Sequence, residues 1–142
     1  MAADGLNGDA ETDGRDRLLL VDPYSHSREG LGAALRAGGF RVETAEGSPE
    51  AIQKIHGAEF DLAIIDLDLP PAHGVAEGGW DLVRILRALN PTPLLILIAA
   101  ECDPDTQAQA LRYRASRLLE KPINPRELRS IVRALRPETA PA

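Results

Sequence analysis

Two acids and a lysine, distant in the chain, have the residue types and positions that could carry chemistry. The segment Phe60-Asp61-Leu62-Ala63-Ile64-Ile65-Asp66-Leu67-Asp68-Leu69-Pro70 holds an apolar run ending in Asp66, with a second acid two residues on and a proline that stops continuation. A short β-branched run bounded by breakers reads as a buried parallel strand. In an open α/β sheet, reactive groups gather at the carboxyl ends of such strands. A carboxylate there can serve as a nucleophile or a metal ligand; the plainer role is to cap the following loop. Asp22 closes an earlier apolar run, Leu18-Leu19-Leu20-Val21, and Lys121-Pro122 follows a later one. The basic residues are nearly all arginine, with Lys54 and Lys121 as the exceptions.

The elements that must position these residues alternate along the chain. Strands are expected at 17–22, at 40–44 (Phe40 and Val42 inward, Arg41 and Glu43 outward), in the segment around Asp66, at 92–99 and at 117–120. The first helix, capped by Ser25 or Ser27, runs to about residue 37 and stops at Gly38-Gly39. The second opens with Ser48 as N-cap and Pro49 at the first helical position, with Ile52 and Ile55 in the core. A loop with three glycines at 71–79 leads to a third helix carrying Leu82, Val83, Ile85, Leu86 and Leu89, ended by Asn90-Pro91. The fourth starts at Asp103-Pro104 with Ala108, Leu111 and Ala115 inward. Asn124, Pro125 and Glu127 form a capping-box pattern for the fifth, in which Leu128, Ile131, Val132 and Leu135 repeat at helical spacing.

Five strand–helix units with the most apolar strands central predict one five-stranded parallel sheet, covered on both faces by right-handed crossovers. The flavodoxin-like (βα)5 order 2-1-3-4-5 fits about 120 structured residues. That order brings Asp22, Asp66, the Ala99-Ala100-Glu101 segment and Lys121 to one rim. Acids and a lysine converging there are the parts of a phosphoryl-transfer site: one carboxylate attacks phosphorus, others hold Mg²⁺, and a cation neutralises the equatorial oxygens.

On these residues the chain resembles a receiver domain of a two-component response regulator, over residues 17–136. Val21-Asp22 resembles the acidic end of strand one, and Asp66-Leu67-Asp68-Leu69-Pro70 the phosphoacceptor segment. Gly79-Trp80-Asp81-Leu82 resembles the glycine turn opening helix three, and Glu120-Lys121-Pro122 the lysine–proline signature, whose proline follows a cis bond. The resemblance implies that Asp66 accepts a phosphoryl group from a phosphohistidine, that Lys121 pairs with the phosphate, and that Asp22, Asp66 and Asp68 surround Mg²⁺, the last partly through its main-chain carbonyl. It implies a histidine kinase or phosphotransfer protein as one partner. A downstream protein would dock on the face of helix four, strand five and helix five.

The chain departs from the family pattern at three positions. Pro23 stands where a second acid, the direct metal ligand, is expected, so Mg²⁺ binding should be weakened; the Asp68 side chain is a candidate replacement. Ala99 stands where a hydroxyl residue couples phosphorylation to the output face, and Leu118 where that switch places an aromatic. The loop after Pro70 is also longer, bringing His73 and Glu77 towards the site, either as substitute ligands or as solvated loop residues. These departures admit a second reading, a pseudo-receiver serving as a phosphorylation-independent scaffold. A third, an aspartyl-phosphate phosphohydrolase, rests on the apolar-Asp-x-Asp element at 64–68. That element normally ends a first strand rather than a third.

Composition sets the remaining bounds. The 142 residues, with 44% hydrophobic and 27% charged content, provide one domain with a real core. Residues 1–16 and 137–142 read as polar tails around the domain, so the domain is expected to stand alone. A formal charge of −6 argues against direct nucleic-acid binding. No apolar run reaches membrane-spanning length and no secretory signal is evident, so a cytoplasmic monomer or weak homodimer is expected, without membrane contact. The lone Cys102 fits a reducing compartment. His26 and the arginines at 126, 129, 133 and 136 read as solvated, and Trp80 as a packing residue.

Overall fold

The structure, a computed structural model, describes residues 16–70 and 78–137. Five parallel strands form one sheet: β1 (Arg17–Val21), β2 (Arg41–Ala45), β3 (Leu62–Asp66), β4 (Leu94–Ala99) and β5 (Arg117–Glu120). Their order is β2-β1-β3-β4-β5, as the alternation of elements requires. The intervening helices are α1 (Ser25–Ala37), α2 (Ser48–Gly57), α3 (Gly79–Leu89), α4 (Pro104–Arg112) and α5 (Pro125–Leu135).

Alternate residues of the central strands feed two separate cores, because side chains along a strand point to opposite faces. Leu19, Val21, Ala63, Ile65, Leu95 and Leu97 pack under α2, α3 and α4, meeting Ala51, Leu82, Val83, Leu86 and Ala110. Leu18, Leu20, Leu62, Ile64, Ile96 and Ile98 pack under α1 and α5, meeting Leu31, Leu35, Leu128 and Val132. The doubly buried strands are therefore continuous apolar runs, whereas β2 and β5 at the edges are more polar.

Several local expectations change. Neither Ser25 nor Ser27 caps α1; the N-cap position is Tyr24, and the Ser27 hydroxyl turns to Asp22 instead. Ser48 is the first residue of α2 rather than its cap, and its buried Oγ has no hydrogen-bond partner among the described residues. In α4 the inward residue is Ala110, while Ala108 is exposed and Leu111 is 77% exposed, so that helix turns a different face to the core from the one expected; Ala115, just past its end, packs against the core as expected. In α3, Leu89 is exposed past the end of the buried stripe. Asn124 caps α5 as expected, its side chain accepting from the N–H groups of Arg126 and Glu127. Trp80 packs against the α2–α4 core beside Tyr113, with ring centroids 5.9 Å apart.

The arginines of α5 and its C-cap are not all solvated. Arg136 bonds both carboxylate oxygens of Asp16 at 2.9 and 3.0 Å, and the Arg133 guanidinium donates to the Gly38 carbonyl and lies over Phe40. Asp16 thus belongs to the domain. His73, Glu77 and the rest of both tails apart from Pro137 lie outside the described residues.

Candidate functional site

Strand register builds the site. Val21 pairs with Ile65 and Asp66 with Ile98, while Ala99 pairs with Glu120. Asp22, Asp66, Ala100 and Lys121 therefore leave the sheet side by side at its carboxyl edge. Backbone bonds hold the exits together: Asp22 N–H to the Ala45 carbonyl, Leu67 N–H to that of Ile98, and Lys121 N–H to that of Ala99, at 2.7–3.0 Å. The Lys121–Pro122 bond is cis.

The structure brings together the two residues picked for phosphoryl chemistry. Lys121 Nζ lies 2.9 Å from Asp66 Oδ2 and 3.0 Å from Asp68 Oδ2. Asp66 is 3% exposed, and its Oδ1 accepts the Asp68 N–H at 2.8 Å. Burial pushes the Asp66 carboxyl above the usual carboxylate range; the Lys121 ammonium and the Asp68 N–H counter this only in part. Burial works against the Lys121 charge too, but hydrogen bonds to Asp66 and then Asp68 outweigh it and leave its pKa raised. Lys121 also sits 5.0 Å from the centroid of the Tyr24 ring, a further cation contact.

Asp22 lies at the same rim but faces its own loop. Its Oδ2 accepts from Ser27 Oγ at 2.6 Å and its Oδ1 from the Tyr24 N–H at 2.9 Å, while its carbonyl accepts from Arg28. This carboxylate fastens the start of α1 to the end of β1. Asp68 is turned the other way, with Oδ2 accepting from the Ala100 N–H at 2.9 Å as well as from Lys121. Among the described residues, no group of three or more His, Cys, Asp or Glu side chains is gathered as a metal-holding cluster. Ser27 and Tyr24 were not evident as site groups from the sequence, and Ala100, expected at the rim, contributes its backbone N–H. Only the five-residue interval from Asp22 to Ser27, bridging a strand end and a helical first turn, could have pointed to one of them.

A cavity of about 810 Å³ opens beside this rim, between α1 and the segment before α5. Leu20, Leu31, Ile98 and Ile123 form much of its wall, and Asp22, Asp66 and Lys121 stand in it. The Asp66–Lys121 pair is thus reachable from solvent along an apolar wall. Ala99 is buried beside the site with no hydroxyl to offer, and Leu118 packs into the α2–α4 core. Burial, followed by the charges of Glu120 and Asp103, pushes the Cys102 thiol up, which leaves it a poor nucleophile.

Comparison with known proteins agrees with this geometry. The CpxR homolog of Haemophilus influenzae, a transcriptional regulatory protein, is 32% identical over 119 residues, covering 84% of this chain and 49% of that one. The chain spans about half the length of the curated relatives it matches. A CheY-like receiver domain protein of Methanospirillum hungatei superposes with a TM-score of 0.76 at 26% identity, covering 85% of this chain and 93% of that one. A Burkholderia pseudomallei response regulator, solved with a phosphorylated aspartic acid, calcium ion and citrate, gives 0.72 at 25% identity over 86% of this chain and 67% of that one. Residues 18–133 match the response regulator receiver domain, and with the strand order and the acid–lysine rim they show that the chain belongs to that family of two-component signalling proteins.

Proposed function

We propose that this receiver domain accepts a phosphoryl group on Asp66 from a phosphohistidine of a histidine kinase or phosphotransfer protein. The observation that carries the reading is the 2.9 Å Asp66–Lys121 pair at the open carboxyl edge of the sheet. A carboxylate oxygen of Asp66 attacks phosphorus, the P–N bond breaks, and the leaving imidazole takes up a proton. Lys121 offsets charge on the phosphoryl oxygens throughout. The product is an acyl phosphate that water can cleave. The result is read by a protein partner on α4, β5 and α5, where Leu111 lies exposed. The acidic balance of the chain disfavours phosphate-backbone contact by this domain itself. A signalling role supplied by a histidine kinase places the domain in the cytoplasm.

Receiver domains bind Mg²⁺ at this edge, but the donor set here fits that ion poorly. Asp22 spends both oxygens on Ser27 and Tyr24, Asp68 is held by Lys121 and Ala100, and Pro23 offers no side-chain ligand. Asp66 is engaged as well, by Lys121 and by the Asp68 N–H, so even an ion that keeps several waters and takes only one or two carboxylates must displace a partner from each of them. Weak Mg²⁺ binding is part of the proposal, and no step of the transfer is routed through the ion.

The test is intact-mass measurement after incubation with acetyl phosphate, with and without Mg²⁺. The wild type should gain one phosphoryl group that hydroxylamine removes, and Asp66→Asn should gain none. Absence of the adduct in the wild type under both conditions would leave the pseudo-receiver reading, which the closed hydrogen-bonding of Asp22 favours. In that case the Asp66–Lys121 pair is a structural ion pair and partners bind without phosphorylation.

A further inference from the structure

Asp68 does something other than wait for a metal. Its Oδ2 lies 3.0 Å from Lys121 Nζ and accepts the Ala100 N–H at 2.9 Å, while Lys121 is shared with Asp66. One carboxylate oxygen thus joins the segment after β3 to the start of the loop after β4 and to the lysine after β5. A phosphoryl group carried on Asp66 would bring three strong acceptor oxygens into the same space. It would meet a lysine and an N–H that are already taken.

We propose that the Asp68 carboxylate is a built-in stand-in for the phosphoryl group, which latches the β4–α4 loop to Lys121 in the unmodified protein and must swing away before an anion is accepted. Three features support it. Ala99 has no hydroxyl with which to make that connection, so the Asp68 carboxylate provides the side-chain link. The Asp68 side chain is about a third exposed, at 36%, so water can take over its hydration when it leaves. The far end of the loop is held independently, because the Cys102 N–H donates to Glu120 and Gln107 Nε2 donates to the Cys102 carbonyl. Loss of the Asp68 contact therefore frees Ala100 alone and does not undo the loop.

The inference deepens the phosphoacceptor reading, and its latch is measurable without any phosphorylation. Amide hydrogen exchange on the full chain would compare wild type, Asp68→Asn and Asp68→Ala, followed by titration with beryllofluoride and Mg²⁺. In Asp68→Ala, exchange at Ala100 should rise about tenfold or more while Cys102 keeps its protection. Beryllofluoride should bind Asp68→Ala about tenfold more tightly than wild type, with Asp68→Asn between them. Unchanged exchange at Ala100 in both variants would overturn the latch. Weaker beryllofluoride binding by Asp68→Ala would overturn the competition and make Asp68 a ligand of the complex. If no variant binds beryllofluoride, the phosphoacceptor reading fails, and Ala100 exchange still decides the latch.

Discussion

At the scale of single residues, Asp66 sets the cost of the site. Burial raises its pKa, so the native state binds that proton more tightly than the unfolded chain does. Its stabilising contribution is then fully present below the unfolded pKa of about 3.9 and is lost as pH rises through the higher folded value. At neutral pH the buried charge is a net burden that Lys121 only partly relieves. Asp66→Asn should therefore melt a few degrees higher than wild type near pH 7, and the gap should close as pH falls towards about 4. A thermal-melting series across that range checks it; a gap that persists at the acid end would contradict the assignment. Lys121, whose pKa is raised, keeps its contribution below its unfolded value of about 10.4 and has no part in that window. Asp66 and Lys121 were legible in the sequence because a strand-ending acid and a rare lysine stand out among arginines. The engagement of Asp22 with Ser27 was not, since a hydroxyl five residues on reads equally well as a helix cap.

At the scale of elements, two glycines decide how α3 approaches the site. Gly78 sits at φ +58°, and a Cβ there would lie 2.1 Å from the Leu69 carbonyl oxygen. A Cβ on Gly79 would lie 2.5 Å from Leu67 Cα, which is backbone and cannot step aside. The start of α3 is thus pressed against the residue that follows Asp66. Gly79→Ala should cost about 1–3 kcal/mol, the usual range for forcing a methyl into packed backbone, read as a lower urea midpoint. An unchanged midpoint would show that α3 is free to move. The glycine turn was visible in the sequence; the contact that requires it depends on where β3 ends. Elements with strong apolar stripes, such as α5, could be oriented in advance. The phase of α4 could not, because alanines mark a buried face only faintly and Leu111 lies outward.

At the scale of the whole molecule, one sheet is shared by two cores, so neither layer of helices is stable by itself. Ile64→Ala, in the core under α1 and α5, should cost about 2–5 kcal/mol. Trp80, the only tryptophan, lies on the opposite layer, and its fluorescence should report the same lowered midpoint as far-UV circular dichroism. A Trp80 transition that stays at the wild-type midpoint would show two independent units. The order of apolar runs, breakers and helical stripes by itself determined the doubly wound sheet and put Asp22, Asp66 and Lys121 at one rim, because strand burial and crossover handedness leave few other arrangements. Only the tertiary structure decided which of these groups face one another. Hydrogen-bond partners at a strand end are chosen within an ångström or so, by register and by loop path. That choice gave Asp22 to Ser27 and Asp68 to Lys121 and Ala100, pairings that no spacing along the chain encodes.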